Sequence, residues 1–143
     1  MNHLKTDAKC LNDVGPVVVV DDSQTDLLIV KHVYMRAGLP NPLKILNSGL
    51  VFLGYMDAVR KGEEDVPAMV LMDVNMPEMN GFEAIAKLRQ SEEFKDITTI
   101  VMLTNSDSKA DIERAKEVGA NGFHTKDMDI YKYVEFFKSL KAE

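Results

Sequence analysis

The chain has 143 residues, a formal net charge of −6, 45% hydrophobic residues and 28% charged ones, enough for one domain with a core of its own. The acidic balance and the lack of a Lys/Arg cluster argue against a nucleic-acid surface, and no apolar run nears the roughly 20 residues that span a bilayer. The N-terminal "MNHLKTDAKCLNDVG" has no apolar core of a secretory signal, and Cys10 has no second cysteine to pair with, so a reducing, cytoplasmic setting is expected.

Residues 1–15 read as a polar, flexible leader and 16–143 as the folded domain. "PVVVV" (Pro16–Val20) is continuous and β-branched, the pattern of a strand buried on both faces. "TDLLIVKHVYMRAG" is expected to be a helix with Ile29, Val30, Val33 and Ala37 inward and Gly38 as its stop. "LKILN" is a weaker strand nearer an edge, followed by a helix in "LVFLGYMDAVRKG" and a solvated loop in "KGEEDVP". "AMVLMD" and "GFEAIAKLRQ" give the third strand and helix, and "TTIVMLT" and "KADIERAKEVG" the fourth pair. "NGFHTK" and "IYKYVEFFKSLK" give the fifth. Strict strand–helix alternation implies a doubly wound parallel sheet covered on both faces, and five strands are too few for an eight-stranded barrel. In such sheets ligands bind at the carboxyl ends of the strands.

Those ends carry the chemistry. Strand one runs into Asp21 and Asp22, strand three into Asp73, strand four into Thr104 and strand five into Lys126. Two carboxylates about 5 Å apart repel by roughly 3 kcal/mol at an effective dielectric near 20. A divalent cation relieves such a cluster, and an all-oxygen site suits Mg²⁺. With an ammonium, a hydroxyl and a nucleophilic carboxylate added, the rim can receive a phosphoryl group. Each residue alone is unremarkable, since an Asp after a strand is usually a helix cap. Their joint occurrence at successive strand ends is hard to obtain by chance.

"VVVVDD", "VLMDVNMPEMNGFE", "MLTN" and "GFHTK" resemble, over Val17–Leu140, the receiver domain of two-component response regulators, in particular the single-domain CheY-like type. "TKDMD" and "LTNS" are similar to the standalone receivers that serve phytochrome-type kinases. The resemblance implies a flavodoxin-like (βα)5 fold with strand order 2-1-3-4-5. It implies a signalling protein, not an enzyme: Asp73 accepts phosphate from a histidine kinase or phosphotransfer protein. Mg²⁺ would be held by Asp22, Asp73 and the Asn75 backbone carbonyl, with Asp21 acting through water. Lys126 would pair with Asp73 and then with the phosphate. Thr104 would swing toward the phosphate, and Phe123 would turn inward as an aromatic switch.

The sequence departs from that family in places. Asp127 replaces the usual proline after Lys126, so the loop is expected to be all-trans, with Asp127 or Asp129 as a cap of the fifth helix. Asn105 stands where a small alanine is common, which would narrow access to the phosphate. With no output domain expected after the fifth helix, the signal is expected to travel by docking, and a pure phosphate relay between histidine proteins is equally compatible. The fourth helix, fifth strand and fifth helix would form one surface, for a partner or a second copy. Leu27, Leu28 and Met35, off the expected core stripe of the first helix, would form a docking surface for the kinase. The methionines near the site are expected as flexible core filler, and His3, His32 and His124 show no ligand spacing. Two rivals remain. A haloacid-dehalogenase-like phosphatase would need an acid two residues after the nucleophile, where Asn75 cannot donate a carboxyl proton. A phosphate-independent receiver-like scaffold would not need every chemical position filled, as it is here.

Overall fold

The computed structural model describes residues 15–94, 99–104, 108–126 and 130–140. Five strands, β1 (Val17–Val20), β2 (Leu43–Leu46), β3 (Met69–Asp73), β4 (Ile100–Thr104) and β5 (Gly122–Thr125), form one parallel sheet in the order β2-β1-β3-β4-β5. Between them run helices α1 (Gln24–Ala37), α2 (Gly49–Arg60), α3 (Gly81–Arg89) and α4 (Lys109–Val118), and α5 (Ile130–Lys138) closes the chain. A 3-10 helix at Glu92–Phe94, not expected from the sequence, follows α3. The burial gradient follows the order of the strands. β1, β3 and β4 are buried throughout, whereas β2 and β5 at the edges are only partly so.

Alternate residues of each strand feed separate cores, as the two-residue period of a strand demands. Val18, Val20, Val70, Met72, Ile100, Met102 and Phe123 pack under α2, α3 and α4. Val17, Val19, Met69, Leu71, Val101 and Leu103 pack under α1 and α5, with Val30, Val33, Tyr133 and Phe137. Strand-to-helix turns end in short polar caps. The hydroxyls of Ser23, Ser48 and Ser108 each accept a backbone N–H of the first turn, and Asn80 forms a reciprocal capping box with Glu83.

One expectation for α1 is corrected. Its buried stripe is Leu27, Val30, Val33, Tyr34 and Ala37, and Ile29 is 37% exposed. Leu27, Val30 and Val33/Tyr34 are three and four apart and share a face. Ile29 lies one step of about 100° off that face. Leu28 and Met35 are exposed as expected, but Leu27, expected beside them off the stripe, is buried in the core and drops out of that surface.

At the end of the sheet opposite the strand carboxyl termini, Arg89 joins four segments. Its Nε donates to the Gly119 carbonyl (3.1 Å), one terminal nitrogen to the Phe94 carbonyl (2.8 Å) and the other to Asn121 Oδ1 (2.9 Å). Gly119 closes α4 in the left-handed region (φ 98°), where a side chain would be strained.

In the loop after β3, Glu78 has φ 68°, the only positive φ at a non-glycine among the described residues. Replacing Glu78 by glycine should therefore stabilise the fold by about 0.5–1 kcal/mol, read as a rise in the urea midpoint at constant slope. No gain would mean that the Glu78 side chain offsets the strain.

Candidate functional site

Parallel strands in register put their carboxyl ends in one row. Val20 pairs with Met72, Asp73 with Leu103 and Thr104 with Thr125. Asp21 is the first residue past β1, Asp73 the last of β3, Thr104 the last of β4 and Lys126 the first past β5. All four, with Asp22, stand on the rim that the sequence indicated. Gly81 lets α3 start directly behind Asp73. A Cβ built on it would lie 2.2 Å from the Asp73 carbonyl oxygen, and its N–H donates to the Val74 carbonyl (2.9 Å).

Lys126 is the hub. Its Nζ lies 2.7 Å from Asp21 Oδ2, 2.8 Å from Asp26 Oδ2 and 3.1 Å from Asp73 Oδ1. The Lys126, Asp21 and Asp73 side chains are each less than a tenth exposed, so solvent screens these charges little. Asp21 is fully engaged: Oδ1 accepts the Ser23 N–H (2.9 Å) while Oδ2 takes the ammonium. The Lys126 N–H donates to the Thr104 carbonyl (2.6 Å), which fixes the last turn of β5 against β4.

Burial pushes the Asp73 carboxyl up to about 6; Lys126 pulls it down, and Asp21 and Asp22 push it further up. Lys126 is moved the other way from what its burial alone would do. The hydrogen bonds it donates to Asp21 and Asp26 raise its pKa and keep it firmly cationic. One ammonium thus faces three carboxylates, those of Asp21, Asp26 and Asp73, and Asp22 adds a fourth negative charge beside Asp21 and Asp73.

Asp21, Asp22 and Asp73 each bring a carboxylate oxygen within 4.8 Å of the others. Three converging hard oxygen donors, with more negative charge than Lys126 balances, fit a hard divalent cation. Asp22 is exposed and opens this group to solvent.

The remaining expectations divide. Thr104 is buried at the end of β4, and Asn75 is exposed in the loop two residues past Asp73. Phe123 is fully buried within the α2/α3/α4 core, so in this conformation its ring is already inside. His124 stacks on Phe136 with centroids 4.4 Å apart, a packing role. Asn105, Asp127 and Asp129, and with them the expected all-trans loop and helix cap, lie outside the described residues. Sequence reasoning did not include Asp26 among the site residues and so missed its contact with Lys126. Its position, one helical turn after the acid pair, was the available signal. No helix among the described residues is long and apolar enough to cross a membrane.

The family model for the response regulator receiver domain matches residues 17–138. Response regulator Rcp1 of Synechocystis sp. is 28% identical over 131 residues, covering 89% of this chain and 88% of that protein. A crystal structure of the Mn(2+)-bound form of Rcp1 superposes with a TM-score of 0.73 at 25% identity, covering 89% of this chain and 90% of that one. Chemotaxis protein CheY1 of Helicobacter pylori is 33% identical over 111 residues, covering 77% of this chain and 83% of that protein. A response regulator in red light signaling of R. palustris, RPA3017, superposes with a TM-score of 0.77 at 32% identity, covering 87% and 90% of the two chains. With the strand order and the row of Asp21, Asp73, Thr104 and Lys126 at one rim, these matches have one reading: the chain belongs to the response regulator receiver domain family and has its CheY-like fold.

Proposed function

We propose that Asp73 is the phosphoacceptor of a two-component pathway, taking its phosphoryl group from a histidine kinase or a histidine phosphotransfer protein. The observation that carries this reading is the Asp73 carboxylate at the mouth of a buried cluster, 3.1 Å from the Lys126 ammonium. An Asp73 oxygen forms the new P–O bond as the P–N bond of a phosphohistidine breaks. The electron pair returns to the imidazole, which takes a proton from solvent. A carboxyl group raised to about 6 is still ionised at neutral pH and is a better nucleophile than an ordinary aspartate. Lys126 stays beside the reacting oxygen and neutralises charge on the transferring group. Thr104, one strand over, supplies a hydroxyl to a phosphoryl oxygen. Mg²⁺ held by Asp22, Asp73 and the Asn75 carbonyl, and by Asp21 through water, would neutralise the carboxylates and draw charge from the phosphoryl oxygens. That Asp21 already has both oxygens in protein hydrogen bonds supports its indirect role.

The folded receiver would span residues 16–143, with 1–15 as an appended leader, and act in the cytoplasm as a signalling protein. Exposed Leu28 and Met35 on α1 would meet the helical bundle of the kinase. The α4–β5–α5 face, backed by Phe123, would present the phosphorylated state to a downstream protein or a second copy.

Incubation with Mg²⁺ and a small acyl phosphate, followed by intact-mass measurement, tests the assignment. Wild type should gain one phosphoryl group and Asp73→Asn none. A wild-type chain that gains no mass and binds no beryllofluoride would instead be a phosphate-independent scaffold.

A further inference from the structure

Asp26 is the one carboxylate on Lys126 that the phosphoacceptor reading leaves without a task. Its Oδ2 lies 2.8 Å from Lys126 Nζ, closer than Asp73 Oδ1 at 3.1 Å. An ammonium has three protons, and Asp21, Asp26 and Asp73 occupy all of them. Asp26 comes from α1, not from a strand end, and it lies outside the trio of carboxylates that converges within 4.8 Å. The cap of α1 uses its backbone, since the Asp26 N–H donates to Ser23 Oγ at 3.2 Å. The carboxylate is therefore free to serve Lys126.

We propose that Asp26 is a positioning residue that restrains Lys126: it braces the ammonium against α1 and competes with the phosphoryl oxygens for its charge. The inference rests on the phosphoacceptor reading and deepens it. An oxygen arriving on Lys126 must replace one of three contacts. Asp73 carries the new group. Asp21 is 3% exposed, so releasing its oxygen would leave a charge buried without its cation. Asp26 is 34% exposed, and water can take the place of the lysine there. Asp26 is thus the contact that yields, and its affinity for the ammonium opposes phosphoryl binding. Asp26 also draws off part of the ammonium's charge, so its loss turns Lys126 more fully onto Asp21 and Asp73, which it already contacts at 2.7 and 3.1 Å.

Asp26→Asn tests this because it keeps the shape and one carbonyl acceptor while deleting the charge. Calorimetric titrations would measure Mg²⁺ alone and then beryllofluoride at saturating Mg²⁺, on wild type, Asp26→Asn and Asp26→Glu. Asp26→Asn should hold beryllofluoride about fivefold more tightly, while its Mg²⁺ affinity falls or stays within about twofold. Asp26→Glu, which restores the charge, should return toward wild type in both. Any other combination for Asp26→Asn overturns the proposal, including the parallel weakening that a merely structural role would give. Asp26→Gln reads the same difference if the Asn variant fails to fold. If wild type binds no beryllofluoride and gains no phosphoryl mass, the phosphoacceptor reading itself falls. If wild type does both and Asp26→Asn matches it, only the restraint falls.

Discussion

Lys126→Met should melt roughly 10 °C below wild type in metal-free buffer at pH 8. The substitution keeps the length of the side chain and removes the only cation in contact with Asp21 and Asp73 among the described residues. Removing one partner of a buried ion pair costs about 3–5 kcal/mol, because the remaining charge stays buried and unpaired. In a domain of this size each kcal/mol moves the midpoint by about 2–4 °C. The pH dependence has a definite sign. Burial and the neighbouring carboxylates already hold Asp73 at about 6, above the ordinary aspartate value of 3.8, and the lost ammonium was what pulled it down. As pH rises between the two values the unfolded chain ionises first, so the native state binds more protons and stability falls. The Asp73 part of the deficit is therefore largest at alkaline pH and shrinks as pH falls toward about 6, where the carboxyl is increasingly protonated in both proteins. Millimolar Mg²⁺ should return part of it by supplying the missing positive charge. Melting curves at pH 8 and pH 5.5, with and without Mg²⁺, measure all three effects. A variant equal to wild type at pH 8 would mean that the carboxylates share their charge with solvent.

Gly81→Ala should have an effect of similar size through a steric route. The added methyl would meet the Asp73 carbonyl oxygen at 2.2 Å, Met102 Cε at 2.9 Å and Met72 Cγ at 3.0 Å. The Met102 methyl can swing aside, but Met72 Cγ, close to its own backbone, cannot do so freely. The carbonyl cannot move without moving Asp73, whose side chain is already held by Lys126. Destabilisation of about 3 kcal/mol or more is expected, seen as a lower urea midpoint. The molecules that stay folded should gain phosphoryl mass more slowly, because the nucleophile has shifted. Gly54, in α2 with nothing within 4 Å of a built Cβ, is the matched control. Alanine there should be neutral or gain up to about 1 kcal/mol. Equal effects at the two glycines would show that the clash at Gly81 is relieved elsewhere.

The fold was legible because the central strands are short, continuous apolar runs that end in a polar or charged residue, each followed by a longer helical pattern. The row of site residues was legible for the same reason: a parallel sheet brings every strand end to one rim, whatever the intervening loops do. The helical face of α1 was harder. Leu27, Leu28, Ile29 and Val30 are four apolar residues in succession and support more than one stripe. Only packing against α5 and the sheet selects Leu27 over Ile29. The partnership of Asp26 with Lys126 joins residues 100 positions apart, and nothing in local sequence encodes a side chain's reach across that gap. Glu78 is similar: a positive φ at a glutamate follows from closing the loop between Pro77 and Asn80, not from preference.

Arg89 bears on how such a domain can move. It fastens the last turn of α3, the 3-10 helix, the end of α4 and the turn before β5 at the pole remote from Asp73. A displacement that begins at Thr104 therefore meets a helix pinned at its far tip. If the proposed phosphorylation of Asp73 moves α4, the tether at Gly119 makes that end the pivot and Lys109 the end that travels, and the base of the domain is expected to stay still.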